Sequence, residues 1–352
     1  MRALIAGGGT GGHVIPAIAI ARQLQAQFGA EVLFVGTPRG IENRLVPAAG
    51  FPLKLVQVGA LKNVSLMTRM RTAFDLPRAI LAASGFISEF KPTVVIGVGG
   101  YASGPAMMAA AMRRVPMMAF EPNFVPGFAN KAVAKFVSAA CVHFDETARY
   151  FRNAHVTGVP IRREFTHLPA PSSQPTLLIT GGSQGAHAIN EAVVQALTTL
   201  KQSLPDLRIV HQTGQKDLES IRSSYQQAGM NAEVSAFIDD MPSAFARAQV
   251  IVCRSGAATV AEISAAGKVA IFIPFPQAAD DHQRRNAEAL SSKDAALLIP
   301  QRELTPQKLH DAIVSLFRDP ARLVRMSANV RALAHPDAAA EIAKLAYSIE
   351  KK

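Results

Sequence analysis

Three glycine-rich stretches of the chain have the residue types that bind phosphate groups. Residues 7–12 (GGGTGG), 97–105 (GVGGYASGP) and 181–185 (GGSQG) each follow a run of apolar residues. A glycine turn between a strand and a helix lets backbone N–H groups approach an anion, and the helix dipole favours negative charge there. One such loop is often only a tight turn, but three predict several phosphates or a diphosphate. None reads G-x-x-x-x-G-K-[ST], so the sequence does not predict a P-loop.

Polar residues suited to a sugar or a nucleotide follow later apolar runs. Residues 255–262 (SGAATVAE) place small side chains at a helix start and Glu262 one turn further on. A carboxylate there can accept hydrogen bonds from a sugar diol, or it can be a surface glutamate that interacts with the helix dipole. Residues 274–286 (PFPQAADDHQRRN) add a polar cluster. With no D-x-D triplet and no H-E-x-x-H motif, the sequence predicts no metal site.

The first glycine stretch also contains G-x-G-x-x-G, the pattern of a dinucleotide-binding fold. Such a fold uses an acidic residue at the end of its second strand to hold a ribose hydroxyl. Here that predicted strand ends in residues 35–39 (VGTPR), and the first carboxylate after it is Glu42. An NAD-dependent oxidoreductase is therefore disfavoured, although Arg39 leaves an NADP-binding variant open.

The elements that must position these residues alternate between short β-rich runs and longer helical patterns. The predicted strands lie near residues 3–6, 32–35, 53–58, 94–98, 117–120, 139–142, 177–180, 208–211, 233–237, 250–253, 269–273 and 296–299. This alternation predicts parallel sheets with helices on both faces. The paired motifs GGGTGGH and GGSQGAH indicate two Rossmann-type domains, and residues 168–175 (LPAPSSQP) indicate a linker.

Composition and charge limit the class of protein. The 352 residues are 49% hydrophobic and 18% charged, which fits two globular domains and excludes wholesale disorder. Neither a signal peptide nor a membrane span is predicted, and two cysteines without metal-ligand spacing fit a reducing compartment. Residues 1–162 carry 17 Lys and Arg against seven Asp and Glu, whereas residues 163–352 carry 20 against 19. The first half is therefore expected to face an anionic partner, unless this charge only aids solubility.

Five motifs occur in the order found in the MurG family of UDP-N-acetylglucosamine transferases: GGGTGGHVIPA, GVGGYASGP, GGSQGAHAIN, GAATVAEISAAG and PFPQAADDHQRRNA. The chain resembles that family from about residue 3 to residue 300. The resemblance implies an α/β protein of GT-B fold, in which two Rossmann-like, doubly wound parallel-sheet domains face a central cleft. It implies a membrane-facing acceptor domain of residues 1–162 plus 336–352 and a UDP-sugar-binding domain of residues 163–335.

The resemblance also assigns a donor site residue by residue. Glu262 would hold the ribose, and main-chain atoms near Ile238 would read the uracil. Ser183 would contact the diphosphate, and Gln283 would contact the sugar. The other implied donor-site residues are Thr10, Gly11, Gly12, Asn123, Arg162, Ala257, Ala258, Thr259, Val260 and Ala261. Residues 120–123 read Phe-Glu-Pro-Asn where the family usually has His-Glu-Gln-Asn, so the roles of the first and third side chains are not transferred.

The implied reaction moves N-acetylglucosamine, with inversion, from UDP-N-acetylglucosamine to the C4 hydroxyl of the muramyl residue of lipid I. The product is lipid II, the precursor of peptidoglycan, and neither a cofactor nor a metal is expected. Backbone N–H groups, helix N-termini and Arg162 would stabilise the leaving diphosphate. His13 is the candidate base. It can instead cap or orient its loop, in which case Glu121 or a water-mediated arrangement would provide the base.

A prenylated acceptor implies a peripheral enzyme at the cytoplasmic face of the cell membrane, with proteins of a cell-wall assembly as partners. Residues 61–90 mix apolar side chains with Lys62, Arg69, Arg71 and Arg78, as in a patch on anionic lipid. The alternative is a core helix with a solvated basic face. Another GT-B transferase and a UDP-sugar epimerase remain rivals. A nucleic-acid binder is disfavoured, since no Trp and four Tyr are present for base stacking.

Overall fold

The computed structural model describes residues 1–58, 66–169 and 174–350, and the side chains of residues 66–74 are not part of that description. Residues 61–65 and the side chains of residues 66–74, which belong to the predicted lipid-facing patch, therefore lie outside the described residues. The same holds for residues 170–173 of the predicted linker.

The chain divides into two compact units. The first comprises Met1–Ile161 with Asp337–Lys352, and the second comprises Arg162–Pro336. The domain limits expected from the sequence, residues 162 and 336, lie within one residue of these bounds. The predicted linker falls a few residues after the first crossing and is not the boundary itself.

The first unit is built on a sheet of seven parallel strands in the order β3-β2-β1-β4-β5-β6-β7. The strands are β1 (Arg2–Gly7), β2 (Glu31–Gly36), β3 (Leu53–Leu55), β4 (Val94–Gly99), β5 (Met117–Glu121), β6 (Ala139–Val142) and β7 (Ala154–Val156). The helices between them are α1 (Gly11–Phe28), α2 (Glu42–Ala48), α3 (Leu66–Phe90), α4 (Ser103–Met112) and α5 (Phe128–Val133). The edge strand β7 was not predicted, because its residues, Ala-His-Val, lie in a mostly polar stretch (RNAHVT, residues 152–157) without an apolar run.

The second unit contains a sheet of six parallel strands in the order β10-β9-β8-β11-β12-β13. The strands are β8 (Thr176–Thr180), β9 (Arg208–Gln212), β10 (Ala232–Ser235), β11 (Val250–Cys253), β12 (Val269–Phe272) and β13 (Ala296–Leu298). The helices are α6 (His187–Ser203), α7 (Leu218–Ala228), α8 (Met241–Arg247), α9 (Ala257–Ala266), α10 (His282–Ser291), α11 (Pro306–Phe317) and α12 (Pro320–Arg331). A last helix, α13 (Ala338–Glu350), belongs to the first unit.

The middle residues of the central strands are apolar because helices cover both faces of each sheet. In β1, the residues from Ala3 to Ala6 are at most 1% exposed, and Leu177, Leu178 and Ile179 of β8 are fully buried. Strand order reverses between β1 and β4 and again between β8 and β11. Loops at the carboxyl ends of the strands meet at such reversals, and ligands of open α/β sheets bind there.

The final helix packs on the first unit. Ile342 and Ala346 of α13 are fully buried, and the ring of Tyr347 stacks on Phe28 of α1 with centroids 4.3 Å apart. Within the described residues, no helix is both long and apolar enough to cross a membrane.

Candidate functional site

The first two glycine loops lie against each other, although 90 residues separate them in the chain. They follow β1 and β4, which are neighbours in the sheet. The Gly8 N–H donates a hydrogen bond of 3.3 Å to the Gly99 carbonyl oxygen. A Cβ atom at Gly100, where φ is +81°, would collide with the Gly8 carbonyl oxygen. Glycine at this position therefore allows the two loops to form one surface.

His13 lies at this junction. It is in the first turn of α1, and its backbone N–H donates to the Thr10 carbonyl oxygen at 3.1 Å. Gly99 leaves room for its ring, because a Cβ atom there would lie 2.9 Å from His13 Cε1. Thr10 occupies the N-cap position but makes no side-chain capping bond, and it is exposed together with Gly12. The first turn of α1 has no acidic side chain, so no carboxylate of the helix itself offsets the positive end of its dipole.

Glu121, the competing base, has a buried carboxylate whose two oxygens are both in use. One oxygen accepts the N–H and the side-chain amide of Asn123, at 3.0 and 3.2 Å. The other accepts the Gly127 N–H and the Asn130 amide, both at 2.9 Å. Burial raises the pKa of Glu121, and the hydrogen bonds from Asn130, Asn123 and Gly127 oppose that rise. With 2% exposure and four donors, the carboxylate organises the loop after β5, and this geometry argues against Glu121 as the base.

The two positions where the sequence departs from the family pattern are apolar and buried. Phe120 is fully buried at the end of β5, and Pro122 is buried as well. Neither side chain offers a hydrogen-bonding group. Asn123 remains partly exposed and is oriented by Glu121. Any polar function of this segment therefore falls to Asn123.

The second unit contains a cavity of about 220 Å³ at the carboxyl ends of its central strands. Five residues assigned from the sequence line it: Arg162, Ser183, Ile238, Thr259 and Glu262. The remaining lining residues are Thr180, Gly182, Gln212, Phe237, Asp239, Met241, Phe245, Cys253 and Arg254. The third glycine loop, the loop after β10 and the start of α9 therefore face one space.

Glu262 gives this cavity a titratable carboxyl. Burial raises its pKa to about 7, and the guanidinium of Arg162 opposes that rise from a distance of 4.0 Å. The Glu262 side chain is 22% exposed, so a ligand in the cavity can reach it. Arg162 also lies over the ring of Phe165, 4.9 Å from its centroid. This contact orients a cation towards the cavity.

The segment from Ala257 to Ala261 divides between the cavity and the core. Its first three residues are partly exposed, and Gly256 caps the start of α9 with an extended backbone. Val260 is fully buried, and Ala261 is 6% exposed. These last two side chains therefore lie in the core, and Thr259 is the residue of this segment that lines the cavity. The predicted place of Val260 and Ala261 in the donor site stays a prediction.

Gln283 does not line the cavity but supports its wall. Its side-chain oxygen accepts the Phe275 N–H at 3.0 Å, and its carbonyl oxygen accepts the Ser255 hydroxyl at 2.8 Å. These bonds join the start of α10 to the loop after β12 and to the residue that precedes the N-cap of α9. The predicted contact with the sugar stays a prediction.

Gln212 is a functional candidate that sequence reasoning missed. It is 1% exposed at the end of β9. Its amide group donates to the Gly182 carbonyl oxygen at 2.8 Å, and its oxygen accepts the Ile238 N–H at 2.8 Å. Gln212 therefore connects the third glycine loop to the segment around Ile238 that is assigned to the uracil. Because its partners lie 26 and 30 residues away, no local motif could have revealed it.

Arg254 is a second residue that the sequence analysis missed. Its guanidinium donates to the carbonyl oxygens of Ile273 and Pro274, at 2.9 and 3.0 Å, and to the side chain of Gln301 at 2.8 Å. Burial lowers its pKa to about 10, so the group stays cationic at neutral pH. It adds positive charge to the cavity and fixes the loop after β12.

In the part of the chain that the structure describes, no three His, Cys, Asp or Glu side chains are grouped to hold a metal ion.

Sequence comparison covers both units. The glycosyltransferase family 28 N-terminal domain matches residues 3–142, and the C-terminal domain of the same family matches residues 176–342. The chain is 44% identical to the UDP-N-acetylglucosamine–N-acetylmuramyl-(pentapeptide) pyrophosphoryl-undecaprenol N-acetylglucosamine transferase of Solibacter usitatus, covering 99% of this chain and 96% of that protein. It is 43% identical to the protein of that name from Geotalea uraniireducens, covering 96% of each.

A solved structure agrees with these relatives. The crystal structure of Acinetobacter baumannii MurG matches with a TM-score of 0.84 and 33% identity, covering 99% of each chain. The chain belongs to the MurG family. Its two parallel sheets of seven and six strands confirm the predicted GT-B fold. Membership of the MurG family also confirms the prediction that the chain is a glycosyltransferase. It excludes the alternative functions considered above, namely an oxidoreductase, an epimerase and a nucleic-acid binder.

Proposed function

We infer that the chain transfers N-acetylglucosamine from UDP-N-acetylglucosamine to the C4 hydroxyl of the muramyl residue of lipid I, forming lipid II with inversion at the sugar. The names of its full-length relatives support both substrates. The observation that carries the donor half is the cavity of the second unit, which combines a diol-binding carboxylate, two guanidinium groups and a glycine loop.

We propose that the UDP portion binds in that cavity. Glu262 accepts hydrogen bonds from the ribose hydroxyls, as a carboxylate presents two acceptor oxygens to a diol. Ser183 and the third glycine loop meet the diphosphate, with Arg162 beside them. The N–H groups at the start of α9 add the positive end of a helix dipole. Leaving-group charge is then stabilised by groups already in place before the reaction.

Uracil recognition at Ile238 takes a specific form in this proposal. The Ile238 N–H already donates to Gln212. The main-chain group of Ile238 that remains for the uracil is its carbonyl oxygen, which can accept a hydrogen bond from a ring N–H. The side chain of Phe237, which is 54% exposed, offers an adjacent apolar surface. Gln212 keeps this segment in register with the diphosphate loop.

We propose that His13 is the general base for the acceptor hydroxyl. A base must reach the proton that it removes, and histidine is the side chain that most often serves in this role. Its place at the junction of the first two glycine loops puts it next to backbone N–H groups that suit the acceptor diphosphate. Glu121 instead orients Asn123.

We propose that helices α3, α4 and α5 form the membrane-facing surface. Leu81, Met108, Met112, Phe128 and Phe136 are between 40% and 76% exposed on these helices and the turn that follows α5. Exposed basic residues accompany them, namely Arg113, Arg114, Lys131 and Lys135. Apolar side chains interleaved with cations are typical of surfaces that bind anionic lipid. The lipid-facing patch predicted from the sequence comprised residues 61–90, and this proposal extends it to α4 and α5.

The first test is UDP release from UDP-N-acetylglucosamine in EDTA, with and without a lipid-linked muramyl-pentapeptide analogue. We expect UDP release that depends on the acceptor, because the transfer requires both substrates. It should persist in EDTA, because the positive charges of the cavity are the guanidinium groups of Arg162 and Arg254. Release that requires added magnesium would keep the transferase and overturn the metal-independent mechanism. No release under either condition, with UDP still bound, would overturn the proposed acceptor.

The membrane surface is tested with the variants Met112→Ser and Phe136→Ser. Burying one such side chain in lipid contributes about 1.5–3 kcal/mol, so each variant should bind phosphatidylglycerol vesicles about 10–100-fold more weakly. Val324→Ser is the matched control, since Val324 is 71% exposed on α12 of the second unit. Unchanged binding in both variants, or an equal loss in the control, would contradict the assignment of this surface.

A further inference from the structure

Glu42 places a buried carboxylate directly beneath the first glycine loop. The side chain is 1% exposed at the start of α2. One oxygen accepts the Gly9 N–H at 2.7 Å. The other accepts the N–H and the hydroxyl of Thr37, at 2.9 and 3.0 Å. Three donors from two loops therefore converge on one anion that the chain itself supplies.

Three glycines make the space for this carboxylate. A Cβ atom at Gly8 or at Gly40 would collide with the carboxylate itself, and a Cβ atom at Gly36 would lie 2.5 Å from Glu42 Cγ. Gly8 lies in the first glycine loop, Gly36 ends β2, and Gly40 precedes α2. Because any side chain at these positions would displace the anion, the surroundings of Glu42 are built to its shape.

The position of Glu42 explains why this loop carries a dinucleotide motif without the acidic residue that a dinucleotide requires at the end of β2. In such folds, backbone N–H groups of the first loop bind a phosphate of the ligand. Here the Gly9 N–H is taken by Glu42. The carboxylate that follows β2 thus turns back onto the loop instead of projecting towards a ribose.

We propose that Glu42 is a positioning residue, a permanent internal anion that fixes the first glycine loop and through it the start of α1. Gly9 precedes Thr10, the N-cap of α1, and the Thr10 carbonyl oxygen accepts the N–H groups of His13 and Val14 at 3.1 Å. Holding Gly9 therefore holds the turn that carries His13. The consequence for turnover rests on the proposed role of His13, whereas the anion site itself does not.

Glu42→Ala tests the site by chemical rescue. The substitution removes a methylene and a carboxylate, which acetate replaces atom for atom. Misplacing a catalytic group by about 1 Å lowers the rate about 100-fold, so the turnover number should fall about that much while UDP affinity stays within about twofold. Acetate should restore at least about a tenth of the lost rate, and chloride at equal ionic strength should restore none. Glu31→Ala, at an exposed glutamate of β2, is the matched control and should behave as wild type.

Two further measurements keep the outcome decisive. Glu42→Gln preserves the shape but sets an amide NH₂ against an N–H donor, so its turnover should fall without any rescue by acetate, because no space is vacated. Amide resonances of Gly9 and Thr37 should shift in Glu42→Ala and return with acetate, whether or not the chain transfers a sugar. Normal turnover in both variants, or an acetate-insensitive loss accompanied by equal loss of UDP binding, would overturn the proposal. Returning resonances without any transferase activity in the wild type would instead overturn the proposed function.

Discussion

Replacing His13 with alanine is expected to lower acceptor-dependent turnover about 10²–10⁴-fold, the range that general base catalysis contributes. Affinity for UDP should change by less than about twofold, because the side chains proposed to hold the ribose and the diphosphate, Glu262 and Ser183, line a cavity in the second unit. The ring of His13 fills the space that Gly99 leaves open, and alanine would vacate it without altering the hydrogen bonds of the loop backbone. Steady-state turnover and calorimetric UDP binding, measured on the same preparation, separate the two effects.

His155→Ala is the matched control, since His155 is an exposed histidine on the edge strand β7 of the same unit. It should retain wild-type turnover. Near-normal turnover of His13→Ala would remove His13 from the role of base and leave a water-mediated arrangement. A parallel loss of turnover and UDP affinity would mean that His13 shapes the donor site.

Donor binding is expected to strengthen as the pH rises towards 7 and to level off above it. Burial raises the pKa of Glu262 to about 7, so the free protein holds this carboxyl protonated at lower pH. A ribose diol donates two hydrogen bonds, which the ionised form accepts better than the protonated form. Binding must therefore release a proton below the pKa, and affinity should fall about tenfold per pH unit there.

Calorimetry at pH 5.5, 7 and 8.5 tests this dependence on Glu262→Gln beside the wild type. The ligand should be UDP-N-acetylglucosamine, because its two phosphates keep their charge over this range. Hydrogen bonds to charged groups contribute about 1.5–3 kcal/mol, so the variant should bind about 10–100-fold more weakly at pH 8.5. It should also lose the dependence on pH.

Glu288→Gln, at a partly exposed glutamate of α10, provides the control and should keep the wild-type profile. A Glu262→Gln variant with the same pH dependence as the wild type would assign that dependence to another group. A variant with unchanged affinity at pH 8.5 would contradict the contact between Glu262 and the ribose.

Features whose signal lies within a short stretch of the chain could be predicted from the sequence. The apolar runs of β1 and β8 and the glycines that follow them lie within a dozen residues, so the alternation of strands and helices predicted the parallel sheets. Glu262 was found for the same reason, since it lies one helical turn beyond a run of small residues. Strand β7 was not predicted because its residues lie in a mostly polar stretch without an apolar run.

What the sequence could not show depends on contacts between distant residues. Nothing in residues 120–123 reveals that Gly127 and Asn130 donate to the second oxygen of Glu121. Gln212, the last residue of β9, and Arg254, the residue after β11, look ordinary in the sequence, and their importance comes from the loops that they join. Glu42 was noticed only as a carboxylate that comes too late for a dinucleotide fold. Its proximity to Gly9 arises because α2 turns back towards β1.

The return of α13 to the first unit makes the second unit an insertion in the topological sense. The chain leaves the first unit after Ile161 and re-enters it at Asp337, and α13 supplies the buried side chains of Ile342 and Ala346. Exchanging the second unit between relatives therefore requires two junctions, one at each crossing. A chimera joined at a single point would graft the last helix of one protein onto the core of another, and the complementarity of that helix would decide whether the hybrid folds.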